Sequence, residues 1–357
     1  MCGIVGRAGF LALSDERVFK VMLLLDYFRG QDSTGVCSVS KKGVSDVLKM
    51  ADDPIMLFNN SSFDSTVVGV SDAIWIGHNR AATIGATSRS NAHPFEAKHI
   101  TGVHNGTLDK INFKELSSRL ENSYETDSET IFNHIATYGV DDTIPRLEGA
   151  WALVWFDSRE KTLNMIRNDK RPLFTCNIKK GSSNLLTWAS EYSMIVAARA
   201  MADVDDGELE LDEEGYGYFP LPINTLHTWT LEQLLTGDLE PAKRMLHGKI
   251  TSVVKHSHAL VNNTNTKSFE LIEDTYEVQD IDLDDNGKIL GIFDEEEWND
   301  ISRFGCACCG ATVEPDEEGI LVFVNEGAVV CSNCSEETTT VISNAFDLNQ
   351  VTNRIIG

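Results

Sequence analysis

The sequence is short of positive charge: 30 Lys and Arg stand against 55 Asp and Glu, a formal net charge of -25. Attraction to a phosphate backbone or an anionic lipid surface needs a surplus of Lys and Arg facing the polyanion. Direct binding of nucleic acid or of a membrane surface is therefore not expected. No uninterrupted apolar run approaches the roughly 20 residues that cross a bilayer. The start of the chain also lacks the basic segment, apolar run and small-residue cleavage site of a secretory leader. A soluble protein of the cytoplasm is the expectation. Cysteine is sparse through most of the chain, where Cys2, Cys37 and Cys176 are scattered. Cys306, Cys308, Cys309, Cys331 and Cys334 crowd toward the C-terminus.

At 357 residues the chain exceeds the usual size of one domain, so one large catalytic domain with a smaller appendage is expected. Residues 1–230 read as the large domain, 231–300 as an acidic linker or extension, 301–340 as a small cysteine module and 341–357 as a tail. Acidic residues concentrate at 203–214 and again at 270–318, where such runs usually make solvated surface or linker.

The opening Cys2-Gly3-Ile4-Val5-Gly6 is a short apolar run closed by glycine, the pattern of a buried strand. Residues 16–28 repeat Val18, Val21, Met22 and Leu25 at helical spacing, and this helix should stop before Arg29-Gly30. Residues 67–76 and 99–104 read as strands leading into polar, glycine-containing loops. A further helix is expected over 128–138, with Thr126 or Asp127 placed to cap it. Residues 149–156 and 162–167 resemble paired strands joined by Asp157-Ser158-Arg159-Glu160. Alternating strands and helices give an α/β reading.

Position 2 is where chemistry is first suggested. Removal of Met1 would leave Cys2 with both a thiol and a free α-amine. Their reference values are near 8.5 for the thiol and roughly 7.7 to 8.0 for the amine, so the amine can accept the thiol proton near neutral pH. Nucleophile and base then share one residue. Taken alone, a cysteine here is more often a small buried hydrophobe.

The loops add a pattern. Cys2-Gly3-Ile4-Val5-Gly6, Arg29-Gly30-Gln31-Asp32-Ser33-Thr34-Gly35, Gly77-His78-Asn79-Arg80, Asn91-Ala92-His93-Pro94-Phe95, His104-Asn105-Gly106 and Glu125-Thr126-Asp127-Ser128-Glu129 occur in that order. In this order they resemble the motifs of class II glutamine amidotransferases. The resemblance continues through Gly149-Ala150-Trp151-Ala152 and 167–173 to Ala189-Ser190-Glu191. It implies the N-terminal-nucleophile hydrolase fold, an αββα sandwich of two packed sheets between helical layers. It also implies roles. Cys2 matches the nucleophile that attacks the glutamine amide and forms a glutamyl thioester. Asn105 and Gly106 match the oxyanion-hole pair, and loss of such a donor typically costs about 2.7 to 4 kcal/mol of transition-state stabilisation. Arg80 matches the arginine that binds the substrate α-carboxylate, a task suited to a rigid guanidinium fork. Asp127 matches the partner of the α-ammonium, and Arg29 lies in the loop beside the nucleophile. His78, His93 and His104 fall within the motifs, but the mechanism needs no histidine base and they read as structural. No cofactor is implied for the glutaminase chemistry.

Departures from the family carry information. In glucosamine-6-phosphate synthase a tryptophan follows the match to Arg80 and a histidine comes shortly after; here these positions are Ala81 and Ile84, which argues against that synthase. Arg29-Gly30-Gln31 and Asn91-Ala92-His93-Pro94-Phe95 resemble the amidophosphoribosyltransferase pattern, whereas Glu125-Thr126-Asp127-Ser128-Glu129 resembles the synthase. No phosphoribosyl-diphosphate loop, sugar-isomerase domain or Ser-Gly-Gly ATP loop follows. The ammonia acceptor is therefore expected on another chain.

Cys306-x2-Cys309, followed after 21 residues by Cys331-x2-Cys334, has the spacing of two thiolate knuckles closing tetrahedrally on Zn²⁺. It resembles a zinc ribbon. Cys308 could replace a neighbour as ligand. Four thiolates leave no open position for water, so the metal would be structural. Two other readings of the whole chain stand beside the amidotransferase: a glutamine-sensing or scaffold protein that does not cleave, and a hydrolase of the same fold acting on another amide.

Overall fold

The computed structural model describes residues 2–67, 72–181, 183–212 and 215–246. The cysteine cluster Cys306, Cys308, Cys309, Cys331 and Cys334, the expected module 301–340, the tail 341–357 and most of the acidic segment lie outside the described residues. Along the chain, strand β1 (Gly3–Gly9) and helix α1 (Leu13–Asp26) lead through a 3-10 turn (Tyr27–Arg29) to β2 (Ser33–Ser40), β3 (Ser45–Met50), α2 (Pro54–Phe58), α3 (Phe63–Thr66) and β4 (Asp72–Arg80). There follow β5 (Phe95–Ala97), β6 (Ile100–Leu108), α4 (Lys110–Ser118), α5 (Asp127–Tyr138), α6 (Val140–Thr143), β7 (Gly149–Asp157), β8 (Thr162–Arg167), β9 (Phe174–Lys180) and β10 (Ser183–Ala189). The described part ends with α7 (Tyr192–Met201), β11 (Glu208–Leu209), β12 (Phe219–Pro220), β13 (Thr225–Thr230), α8 (Leu231–Thr236) and β14 (Ala242–Met245).

A strand with apolar side chains on both faces must be covered on both, and β1 is buried along its whole length. It lies inside a sheet of order β11-β9-β10-β1-β4-β2-β3, with β12 joined to β9. Antiparallel neighbours pair Gly3 with Asn79 and Val5 with Ala189. The second sheet runs β14-β13-β8-β7-β6-β5. Between the sheets lies one apolar core, to which the first contributes Ile4, Ile74 and Ile76 and the second Val103, Val154 and Phe156. Full burial of a side chain of this size stabilises by about 1.5 to 3 kcal/mol. A second core fills the outer face of the second sheet, where Leu153 and Trp155 meet Leu116 of α4 and Ile131 and Ile135 of α5. Helices α1 and α7 pack together against β1 and β10. Two sheets between helical layers are the arrangement that the resemblance implies.

The helix expected over 128–138 is α5, capped by Thr126, whose hydroxyl accepts the Glu129 N–H at 3.2 Å. The helix expected over 16–28 is α1, which begins earlier and tightens into the 3-10 turn. Of the strand expected over 67–76, residues 72–76 lie on β4, whereas Val67 closes α3. The run is rich in valine and isoleucine but broken by Gly69, Ser71 and Asp72, and such a pattern alone does not say where a backbone turns. After Thr230 the chain continues into α8, whose Leu231 and Leu234 join the inter-sheet core.

Part of the acidic stretch 203–214 is not solvated surface. Asp206 is buried and pairs with Arg7 Nη1 at 2.7 Å and Arg199 Nε at 2.9 Å; Arg7 also meets Asp15, which accepts from Lys180. A buried arginine needs such partners, because removal of either charge would strand the other. Composition counts charges but does not see which one turns inward.

Candidate active site

Cys2 is buried immediately before β1. Its Sγ lies 3.3 Å from the Ala81 nitrogen, accepting that N–H, and 3.4 Å from the Ala81 carbonyl oxygen, to which the thiol donates. Burial pushes the thiol up, and the Ala81 backbone contact and Arg80 pull it down in part. A thiol held protonated in this way requires a base before it can attack. Cys37 and Cys176 are also buried, the latter pushed up to about 12 by burial, and behave as core residues.

The 3-10 turn after α1 brings Arg29 against the nucleophile. Its Nε donates to the Cys2 carbonyl oxygen at 3.2 Å, and its guanidinium pairs with Glu191 at the head of α7. Gly30 is required by close approach: a Cβ there would lie 2.5 Å from the Arg80 carbonyl carbon and 2.7 Å from the Ala81 nitrogen. The 29–30 segment, the end of β4 and Cys2 are thereby fixed as one unit.

Arg80 ends β4 and is buried, with Nη2 2.5 Å from the Ile84 carbonyl oxygen and Nη1 3.1 Å from that of Ala86. The loop it enters is tied down at several points. Asp32 accepts from Ala82 N–H at 2.6 Å, Glu125 from Ala86 N–H at 2.6 Å, and Lys49 Nζ donates to the carbonyls of Ala92 and Pro94 at 2.8 and 3.1 Å. Asp127 opens α5, where a carboxylate faces the positive end of the helix. Its Oδ2 accepts the Leu108 N–H and its Oδ1 the Ser128 N–H, at 2.8 and 2.9 Å.

Asn105 and Gly106 lie on β6, in the other sheet. The Asn105 side-chain amide donates to Ser190 Oγ at 3.3 Å, and its Oδ1 is buried without a hydrogen bond. Ser190 Oγ also accepts the Ile4 N–H at 2.9 Å, so one hydroxyl ties the start of β1 to the candidate oxyanion donor. Gly106 has φ +153, and a Cβ would fall 1.9 Å from the Ala150 carbonyl oxygen, which excludes other residues. A second tie across the sheets is His78 Nε2 to the His104 carbonyl at 3.0 Å. The ring of His78 lies tilted against that of His93, with centroids 3.9 Å apart, and His104 Nδ1 meets Ser128 Oγ at 2.9 Å. Burial holds all three imidazoles neutral, His78 near 3.

Of the motif residues, Cys2, Arg29 and Asn105 are therefore joined through hydrogen bonds by way of Ile4 and Ser190, with Arg80 next to Ala81 at the end of β4 and Gly106 and Asp127 on or bonded to β6. Ser190, Glu191 and Asp26 also lie at this site. Glu191 and Ser190 stand in a motif but have no role in the sequence reading. Asp26 has one sequence signal: an acidic residue four positions after Met22 on the apolar face of a helix. Among the described residues no cluster of His, Cys, Asp and Glu could hold a metal ion, and no helix is long and apolar enough to cross a membrane.

Comparison with known proteins gives the family and the fold. A family model described as a glutamine amidotransferase domain matches residues 55–247, more than half of the chain. Glutamine--fructose-6-phosphate aminotransferase of Gluconobacter oxydans is 30% identical over 222 residues, 58% of this chain and 35% of that protein. The enzyme of the same name from Rhizobium meliloti is 32% identical over 183 residues, 47% of this chain and 29% of that protein. The chain thus spans about a third of the length of the curated relatives it matches. Among solved structures, glutamine phosphoribosylpyrophosphate amidotransferase from B. subtilis superposes with a TM-score of 0.50 at 17% identity, over 69% of this chain and 49% of that one. That likeness supports the two-sheet fold.

Proposed function

The chain belongs to the glutamine amidotransferase domain family, and on that premise we propose that it releases ammonia from the side-chain amide of glutamine through a thioester on Cys2, for an acceptor enzyme on another chain. The placement of Cys2 carries the reading: a buried thiol at the head of a central strand, 3.3 Å from Ala81 N and tied through Ile4 and Ser190 to Asn105.

Once Met1 is removed, the Cys2 α-amine accepts the Sγ proton and the sulfur adds to the amide carbon. Asn105 Nδ2 and the Gly106 N–H supply donors for the oxygen that becomes negative; the Asn105 amide is held at present by Ser190. As the carbon–nitrogen bond breaks, the α-ammonium returns its proton to the departing nitrogen and ammonia leaves. Water then hydrolyses the thioester to glutamate. Arg80 binds the substrate α-carboxylate, which takes the place of the Ile84 and Ala86 carbonyls on the guanidinium. Asp127 receives the α-ammonium, and Arg29 holds the Cys2 carbonyl. No cofactor takes part.

The site proposal includes the C-terminal module. Cys306, Cys309, Cys331 and Cys334 have the donor type and spacing for one structural Zn²⁺, in a module after the catalytic domain that docks the acceptor enzyme. The absence of a positive surplus and of a long apolar run supports residence in the cytoplasm without nucleic acid or membrane as direct partner. The decisive measurement is ammonia release from glutamine by the purified chain and by Cys2→Ala. Release that falls to background in Cys2→Ala is expected, and equal rates remove the reading.

A further inference from the structure

Asp26 closes α1 with its side chain fully buried. Two effects oppose a carboxylate there: loss of hydration, and the negative end of the helix dipole. Its Oδ2 accepts the Asn79 backbone N–H at 3.1 Å, whereas its Oδ1 accepts no hydrogen bond. Oδ1 is aimed at the start of β1, so closely that a Cβ on Gly3 would lie 1.5 Å from it. The carboxylate occupies the space in which residue 3 would otherwise carry a side chain. A buried acid with one oxygen unpartnered beside the nucleophile is an observation that the proposed roles of Cys2, Arg29, Arg80, Asn105, Gly106 and Asp127 do not account for.

The charged and titratable groups that face this position come from four directions. The Cys2 thiol belongs to the head of β1, and the charge of the chain terminus acts on both it and Asp26. Arg29 comes from the turn after α1 and is itself engaged by Glu191 at the head of α7; Arg80, at the end of β4, faces the same thiol. Burial pushes the Asp26 carboxyl up to about 7, against the pull of Arg29, of Asn79 and of the terminal ammonium. Asp26 in turn pushes the Cys2 thiol up.

We propose that Asp26 is a positioning residue for the α-amine of Cys2, its free oxygen holding that amine at the head of β1 and sustaining its basicity; this rests on the reading of Cys2 as an aminothiol nucleophile. Removal of Met1 transfers the terminal positive charge to Cys2 itself. The ammonium then supplies the donor that Oδ1 lacks, and the attraction offsets the burial of the carboxylate. An anion beside the amine favours its protonated form, which is the form that exists after the thiol proton has been accepted and before the leaving nitrogen receives it.

The test uses the mature full-length protein and the variants Asp26→Asn and Asp26→Leu. Two pH profiles are measured: kcat/KM for glutamine, and the rate of Cys2 alkylation by iodoacetamide. Without the carboxylate both amine and thiol lose protons more readily, so the acid limb of each profile moves down by about one pH unit. Asp26→Asn, which keeps an acceptor for the Asn79 N–H and for the Cys2 amine, is expected to fold but to melt no higher than the parent, since the partner of the buried ammonium loses its charge. Unmoved limbs in both variants, or an Asp26→Asn protein that does not fold, overturn the proposal. Alkylation requires no turnover, so it decides the role of Asp26 even if the parent releases no ammonia, an outcome that would remove the glutaminase reading instead.

Discussion

The three motif histidines show how a residue type commonly read as catalytic serves a different end when it is dry. His78 is tied to the His104 carbonyl and packed against His93, and burial lowers its proton affinity to about 3. In the unfolded chain a histidine titrates near 6.5. Because the folded value is the depressed one, the unfolded state takes up the proton first as the pH falls. The stability contributed by the neutral ring is complete above about pH 6.5 and lost progressively toward pH 3, with a slope of about 1.4 kcal/mol per pH unit per histidine. The melting temperature is accordingly expected to decline from about pH 6.5 downward. His78→Gln should show a shallower decline than the parent in thermal melts taken across that range; an identical slope would contradict the assignment.

At the scale of elements, α5 connects local sequence to the site. Thr126 caps it through the Glu129 N–H, and Asp127 at its first position accepts from Leu108 of β6, so the cap also fixes where the Asp127 carboxylate, the candidate partner of the substrate α-ammonium, stands. Thr126→Ala should remove about 1 kcal/mol of stability, read as a melting temperature lower by about 2 to 4 °C. If Asp127 receives the α-ammonium, KM for glutamine should rise in the same variant, because the first turn of the helix frays. A lower melting temperature with unchanged KM would separate the cap from the site. The helix, its cap and its end are legible in Thr126-Asp127-Ser128-Glu129 and the spacing of Ile131 and Ile135. By contrast, the end of α3 at Val67 is not legible in the run 67–76, because a valine there suits a strand and a helix end alike.

At the largest scale, the two sheets of the described residues meet over one apolar core and carry complementary halves of the candidate site: Cys2, Arg29 and Arg80 on or beside one, Asn105, Gly106 and Asp127 on or beside the other. The C-terminal cysteines add a prediction at this scale. Metal analysis of the full chain purified without chelator should find about one zinc per chain, since four thiolates complete a tetrahedral shell. Cys309→Ser should lose it while ammonia release is retained, because the proposed metal takes no part in the chemistry. Absence of zinc in the parent would remove the ribbon reading.

The sequence by itself determined the amidotransferase motifs and their order, because those depend on residue type and on neighbours a few positions away, whereas residues 77–80 and 104–106, read as loops, lie within β4 and β6. Only the tertiary structure decided that Ser190 bridges Ile4 and Asn105, that Asp206 turns inward to Arg7, and that Asp26 lies against Gly3. Each joins residues far apart in the chain or turns a charge away from water. Whether a carboxylate faces solvent or a buried partner depends on how distant strands and helices pack around it, which no local pattern of residues encodes.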